Sequence, residues 1–363
     1  MVSIETTRES NARAKDFISD LVAVFVGATG GIGRSTAKEL FIKTERPRLY
    51  IVGRNEERGK TIVDELKGLN PEGEVIFVKH DISLLRNVDW ICDEIKKREK
   101  KVNMLLCSAG YMTLKSRDET AERIDKKMAV NYYSRFRFAT NLLPLLKAAA
   151  DAGELSRFIS VLAAGSEADV DVENLELKEK FTVHRCLAHC VMMTDFMVEE
   201  LAKRHPRISF SHSYPGTVKT GIANELPPPV RLAIKVLFAI MTPWILNLHE
   251  AGERHFFQLT SLCYPPATGG TGVPVPPDLR VMKGMDDHTG SGGYLLNWDG
   301  EETGDSRFLS SYREMGFGQK VWDHTHALYR RVLSAKRKAD EEAEKVRTGP
   351  PPRVDDPIGW RAG

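Results

Sequence analysis

The chain has little of what secreted, membrane-spanning or nucleic-acid-binding proteins need. Its 363 residues include only five cysteines, an odd number, which argues against a disulfide framework and favours a reducing compartment. The formal net charge is only +2, without the concentrated basic patch of a dedicated nucleic-acid binder. The charged first twenty residues contain no apolar signal-peptide core. We therefore expect a cytoplasmic protein that does not bind nucleic acid.

Long apolar runs are also scarce. The longest, Val230 to Leu248, is interrupted by Arg231 and Lys235 one helical turn apart and broken by Pro243, so we expect no integral membrane span. Two interpretations of it stay open. It is an amphipathic helix that covers a pocket or a partner subunit, or it is a helix that makes a peripheral contact with a membrane surface.

Short apolar runs alternate with long helical patterns over the first two thirds of the chain. Strands are predicted at Val22–Val26, Arg48–Val52, Val75–Lys79, Val102–Cys107, Arg157–Val161 and Ile208–His212. Helices are predicted at Gly33–Ile42, Glu56–Leu69, Leu85–Lys97, Ala121–Lys147 and Leu187–His205. This alternation predicts an α/β fold with a doubly wound parallel sheet of Rossmann type.

The alternation ends after Thr220, which indicates a C-terminal extension of helices and loops. Predicted there are a helix at Ala251–Ser261, a long loop at Tyr264–Asp287, a last strand at Gly293–Trp298 and a helix at Lys320–Val332. The expected organisation is an N-terminal extension (1–20), a single Rossmann domain (21–333) with a substrate lid (222–290), and a charged helix with a disordered tail (334–363).

A glycine cluster follows the first predicted strand. Gly27, Gly31 and Gly33 have the spacing G-x-x-x-G-x-G and lie between a strand and a helix. Free backbone N–H groups and the helix dipole make such a helix start an anion site, and glycine permits close approach of a pyrophosphate. Nucleotide binding is therefore favoured over an ordinary turn.

Further motifs follow in order along the chain. They are Asp81 after the third strand, Leu105–Gly110 on the fourth, Asn131 in the next helix, and Pro215–Thr220 after the sixth. With the glycine turn, these motifs resemble those of short-chain dehydrogenases/reductases over about residues 20 to 300. The resemblance implies that Asp81 holds an adenine, although a helix cap is the alternative for this residue.

The resemblance also implies a cofactor site. The residues predicted to form it are Gly27, Thr29, Gly31, Ile32, Gly33, Arg34, Arg54, Asp81, Ile82, Ser108, Ala109, Gly110, Asn131, Pro215, Gly216, Val218 and Thr220. An NAD site typically has an acidic residue at the end of the second strand, where this chain has Gly53 followed by Arg54. A guanidinium there can bind a 2′-phosphate, with help from Arg34 and Arg58, so we predict NADP(H). The alternative is that these arginines are merely solvated.

The catalytic residues of the family are missing. The resemblance implies a Ser, a Tyr and a Lys four residues after the Tyr, and these positions fall at Leu162, Leu187 and Val191. Ser160 lies two residues before the serine position, on the same strand face. A literal Y-x-x-x-K at Tyr111–Lys115 follows the fourth strand and is interpreted as a coincidence, with Tyr111 a candidate substrate contact.

Replacement proton donors are His184 and His189, because histidine titrates near neutral pH. Tyr214, Tyr132 and Tyr133 are further candidates, and a structural role is the alternative for each. The predicted catalytic set is Asn131, His184, His189 and Tyr111. Cys186, His189 and Cys190 can share one helix face, but no fourth ligand has a recognisable spacing, so no metal is predicted.

Later segments resemble divergent fungal members of the family that are associated with secondary metabolism. The resemblance implies a bulky, apolar small-molecule substrate and a possible homodimer through the helices at 121–147 and 187–205. Three functions stay open: an NADP(H)-dependent oxidoreductase that interconverts ketone and alcohol, a non-redox isomerase or cyclase, and a catalytically silent NADP(H)-binding protein.

Overall fold

A computed structural model describes residues 1–221, 225–233 and 245–348, with side chains described up to residue 334. Seven parallel strands form one sheet in the order β3-β2-β1-β4-β5-β6-β7. They are β1 Val22–Val26, β2 Arg48–Gly53, β3 Glu74–Lys79, β4 Met104–Cys107, β5 Arg157–Val161, β6 Ser209–Ser213 and β7 Gly293–Leu296. The order reverses between β1 and β4, so the turns after these strands meet at one crevice. The predicted doubly wound sheet is confirmed.

Helices cover both faces of the sheet. They are α1 Ile4–Ala12, α2 Ala14–Phe17, α3 Gly31–Lys43, α4 Glu56–Leu69, α5 Leu85–Arg98, α6 Lys126–Met128, α7 Ser134–Asp151, α8 Val183–Arg204, α9 Leu248–Thr260, α10 Ser306–Glu314 and α11 Phe317–Thr348. One core packs α5, α7, α8 and α11 on the sheet, and a second packs α3, α4 and α9 on the other face. Strands buried on both faces explain why they appear as continuous apolar runs.

The long helix predicted at Ala121–Lys147 begins later than the sequence suggests. Asp125 accepts hydrogen bonds from the backbone N–H groups of Lys127 and Met128, so the helix begins at Lys126 after a turn. A π-helical stretch, Ala129–Tyr133, then precedes α7. Such stretches often occur at functional sites, and this one contains Asn131.

The terminal segments are docked on the sheet. Arg8 of α1 forms a bidentate ion pair with Glu253 of α9, and Gly252 of α9 packs against Ser35 of α3. Within the predicted lid, α9 is therefore a helix of the core. Most of the apolar run Val230–Leu248 and the predicted disordered tail from residue 349 lie outside the described residues, and the domain division stays a prediction. No helix of the described ranges is both long enough and apolar enough to cross a bilayer.

Candidate cofactor site and altered catalytic helix

The glycine turn joins β1 to α3 at the crevice. A Cβ at Gly27 (φ +98°) would lie 2.4 Å from the backbone N of Ala109, and one at Gly33 would lie 2.3 Å from the Oγ of Ser108. These two glycines therefore let the loop after β4 pack against the turn. Gly31 (φ +60°) is different, because its added Cβ would meet only Thr220, at 3.5 Å. Gly30 caps α3 without a side-chain hydrogen bond among the described residues, so the helix start remains available to an anion.

Asn131 holds the loop after β4. Its Oδ1 accepts a hydrogen bond from the backbone N–H of Tyr111, and its Nδ2 donates to the carbonyl of Tyr111, both at 3.0 Å. The backbone N–H groups of Ser108 and Ala109 both donate to the carbonyl of Val26. The structure thus brings Asn131 to the predicted site as a residue that positions the loop next to the glycine turn.

The segment after β6 crosses the same crevice. Gly216 (φ +74°) packs against Trp298, where an added Cβ would lie 3.0 Å from the ring, and Val218 is 9% exposed. Thr220 then lies against Gly31. Pro215–Thr220 therefore packs directly against the glycine turn, although the two segments are far apart in the chain.

At the adenosine end, two predicted contacts are already used within the protein. Arg34 donates two hydrogen bonds to Glu65 of α4, at 2.9 and 2.6 Å, and so is not free for a phosphate. The Oδ1 of Asp81 accepts from the backbone N–H of Ser83 in an Asx turn, so Asp81 is not a helix cap, since the N-cap of α5 is Leu84. Arg54 lies at the end of β2 and is exposed, and it donates to Glu225 at 2.7 Å. Ile82 is nearly buried beside Asp81.

Helix α8 carries the expected catalytic positions without their chemistry. Leu187 is 46% exposed, whereas Val191 is fully buried. Ser160 is also fully buried, and its Oγ accepts a hydrogen bond from Arg135, so it does not reach the crevice. A substrate at this helix therefore meets an apolar surface where a phenol and an ammonium were expected.

The structure separates the two candidate histidines. The Nε2 of His189 accepts from the backbone N–H of Asp171 at 3.2 Å, and burial lowers the pKa of His189 to about 4. His189 is therefore neutral at neutral pH and lacks the acidic proton of an imidazolium, which makes it unsuitable as the general acid. His184 is exposed on the first turn of α8, one turn before Leu187 and on the same face.

The candidate tyrosines also separate. Tyr132 and Tyr133 are buried and bind Thr325 and His324 of α11 through their hydroxyls, so they face away from the crevice. Tyr111 is partly buried, and desolvation, followed by the charges of Asp118 and Glu225, raises its pKa. Its phenol therefore stays protonated at physiological pH.

The side chains of Cys186, His189 and Cys190 do not point to one common position. Cys186 lies 3.9 Å from a carboxylate oxygen of Asp125, and His189 is directed at Asp171, so the residues of that helix face do not converge. In the described part of the chain, donor atoms do converge at Glu39, His249 and Glu253. Arg8 already neutralises Glu253 there.

Arg135 is the residue that sequence reasoning missed. Its guanidinium is 1% exposed and donates to Ser160 Oγ, to the carbonyls of Val161 and Ala109, and, more weakly, to that of Val130. Burial lowers its pKa to about 10, so it remains charged at neutral pH. No carboxylate pairs with it among the described residues. The available signal was an arginine in the apolar stretch Ala129–Ala150, at a position that faces the sheet.

Asp195 and His212 form a buried hydrogen-bonded pair next to the segment that follows β5. Asp195 of α8 accepts a hydrogen bond from Nδ1 of His212 on β6 at 2.5 Å, while Nε2 of His212 accepts from the backbone N–H of Ala163. Burial lowers the pKa of His212 to about 3, so the ring is neutral. The pair ties α8 to the ends of β5 and β6.

Comparisons with known proteins agree with this arrangement. A family model described as short chain dehydrogenase matches residues 21–168. Oxidoreductase AN1596 of Emericella nidulans is 42% identical over 90% of this chain and 98% of its own length. Oxidoreductase andH of Emericella variicolor is 34% identical over 92% of this chain and 99% of its own. The human polyprenol dehydrogenase is 26% identical over 60% of this chain and 67% of its own.

Solved structures show the same fold at low sequence identity. A putative NAD(P)-dependent gluconate 5-dehydrogenase from Beutenbergia cavernae, solved with bound NADP, has a TM-score of 0.52 and 16% identity, with coverage of 82% of this chain and 99% of that one. A Pseudomonas aeruginosa RhlG/NADP complex also has a TM-score of 0.52, with 16% identity and coverage of 73% and 97%. The sheet order, the glycine turn and these similarities together show that the chain belongs to the short-chain dehydrogenase/reductase family.

Proposed function

We propose that the protein is an NADP(H)-dependent oxidoreductase that interconverts a ketone and an alcohol on a bulky apolar substrate. The observation that carries the proposal is the start of α3 after a glycine turn, where Gly30 is the N-cap and no side chain of the described residues caps the first N–H groups of the helix. The fungal relatives named as oxidoreductases support the reaction class. The name of the polyprenol dehydrogenase, an enzyme of a long apolar alcohol, supports the substrate class.

The residues present fit a nicotinamide dinucleotide. The turn Gly27–Gly33 would hold the pyrophosphate, Arg54 the 2′-phosphate, and Pro215–Thr220 the nicotinamide end. When bound, the cofactor supplies the hydride that reduces the ketone. Asn131 keeps the loop at Ala109–Tyr111 in place, and Arg135 adds a fixed positive charge beneath that loop.

The proton donor is assigned to His184. It shares an exposed face of α8 with Leu187, the position where the family has its tyrosine, and its ring nitrogen can donate a proton to the carbonyl oxygen of the substrate. Tyr111 is the competing donor, because its phenol is partly buried in the crevice and protonated. A segment within 222–290 is proposed to cover the substrate, and the five free, buried cysteines favour a cytoplasmic location.

The test is to follow NADPH absorbance with a panel of apolar ketones and to analyse the products. Consumption of NADPH with formation of an alcohol supports the proposal. A changed product without cofactor turnover would identify the isomerase or cyclase alternative. Binding of NADPH without any change in the panel would favour the catalytically silent alternative.

A further inference from the structure

Two side chains from distant parts of the chain meet near the glycine turn, because Gly53, the residue before Arg54, packs against Thr29. Arg54 follows β2, and Glu225 follows the segment that leaves β6. The Nη2 of Arg54 donates a hydrogen bond to Oε1 of Glu225 at 2.7 Å. The side chains are 64% and 45% exposed, so each charge faces water and is able to exchange its partner.

The ion pair lies close to the candidate cofactor site. Thr220, five residues before Glu225, lies against Gly31 at the start of α3. Tyr111, on the loop after β4, is close enough to both side chains for their charges to change its pKa: Glu225 raises the pKa and Arg54 lowers it. Thr220 therefore contacts the start of α3, and Glu225 contacts Arg54 at the end of β2.

We propose that Glu225 is a cofactor-selectivity residue, which occupies Arg54 until a 2′-phosphate displaces it. This inference rests on the proposed NADP(H) dependence. A phosphate carries more negative charge than a carboxylate and offers three acceptor oxygens, so it competes well for the guanidinium. NAD(H) has ribose hydroxyls in its place, which can donate to the Glu225 carboxylate while the ion pair persists. Glu225 thus weakens NADPH binding and lowers the ratio of NADPH affinity to NADH affinity.

Replacing Glu225 with glutamine should therefore increase selectivity. An exposed ion pair of this kind holds back a competing ligand by about two- to fivefold. We expect Glu225→Gln to lower the Kd for NADPH by that factor and to leave the Kd for NADH unchanged or raised. The matched control is Glu57→Gln, an exposed glutamate at the start of α4 whose side chain has no ion pair within the described residues.

The experiment is a calorimetric titration of both cofactors, and of 2′,5′-ADP and 5′-AMP, which carry and lack the 2′-phosphate without any redox chemistry. The Glu225→Gln effect should appear with 2′,5′-ADP, be absent with 5′-AMP, and disappear in an Arg54→Gln background. An equal gain for both cofactors, no gain for NADPH, or a gain that persists without Arg54 would overturn the assignment of Glu225 alone. A wild-type chain that binds neither cofactor would overturn the proposed function with it.

Discussion

The turn after β1 and the first turns of α8 differ in how far they match the motifs that the family resemblance implies. The turn keeps three glycines: Gly27 and Gly33 leave no room for a Cβ beside Ala109 and Ser108, and Gly31 has a positive φ of +60°. Helix α8 has Leu187 and Val191 at the two positions where the resemblance predicts the family's catalytic Tyr and Lys. Nucleotide binding here depends on backbone shape, which the fold itself requires, whereas proton transfer depends on two side chains that the fold does not need.

Arg135 and Arg157, two of the buried arginines, show a similar difference between the ends of the sheet. Arg135, at the carboxyl ends of β4 and β5, has acceptors for its guanidinium in Ser160, Val161 and Ala109. Arg157, at the start of β5, donates from Nη1 to the carbonyl of Gln258, while its Nε and Nη2 have no partner among the described residues. Arg135 thus has more of its N–H groups hydrogen-bonded than Arg157 does.

The largest effect is expected at the glycine turn. Gly31→Val places a β-branched side chain at φ +60° at the start of α3, so NADPH affinity should fall by about a hundredfold or more. Gly30→Ala is the matched control, because its backbone is extended and no atom lies within 4 Å of an added Cβ. Equilibrium titration measures both. A folded Gly31→Val variant with normal affinity would show that the glycines form only a turn.

The second prediction compares the two arginines. Arg135→Met leaves three buried acceptors without a donor and should lower the free energy of unfolding by about 3 kcal/mol or more. Arg157→Met removes two nitrogens that lack partners, so its cost should be about 1 kcal/mol or less. Urea unfolding of both variants makes the comparison. Equal destabilisation would contradict the structural ranking.

The third prediction separates the two cofactors. Arg54→Ala should weaken NADPH binding by about ten- to a hundredfold, because one charge-assisted contact to phosphate is lost. NADH binding should change little. Titration of wild type and variant with both cofactors is the measurement, and Lys67→Ala, at an exposed lysine near the end of α4, is a control for the loss of one surface charge. Equal affinity of the wild-type protein for NADPH and NADH would refute the assignment.

Much of this site was readable from the sequence, and the exceptions have physical causes. The limits of β1, α4 and β5 match the predicted ones, because apolar runs and a capping Asn55 mark them. Asn131 and Thr220 were found through motifs. The ion pairs of Arg34 and Arg54 could not be read, because their partners Glu65 and Glu225 are distant in the chain.

The protonation state of His189 also could not be predicted from the sequence. Its position on α8 was correctly anticipated, but its protonation depends on burial under the loop that contains Asp171. The dimer surface is a further case. Helix α11 packs on α8 and on the Ala129–Tyr133 stretch, and so covers part of the surface that the resemblance assigned to a homodimer, which stays a prediction.

The fourth prediction concerns the proton donor. Its substitutions are expected to have the smallest effects on folding and on cofactor binding. With His184 as the acid, the rate of ketone reduction should be higher at acidic than at alkaline pH, since only the protonated ring donates. His184→Gln should remove this dependence. His189→Gln should leave the shape of the profile unchanged, because the pKa of His189 is about 4. Loss of activity in Tyr111→Phe, with an unchanged profile in His184→Gln, would assign the proton to Tyr111.

The central claim is that the crevice still performs hydride transfer after the loss of the family's Tyr and Lys. NADPH that carries deuterium at its transferable position, incubated with the protein and an apolar ketone, tests this claim most directly. We predict an alcohol that contains one deuterium on the former carbonyl carbon for each NADP⁺ formed. An isomerised or cyclised product without deuterium, formed while the NADPH stays intact, would contradict it.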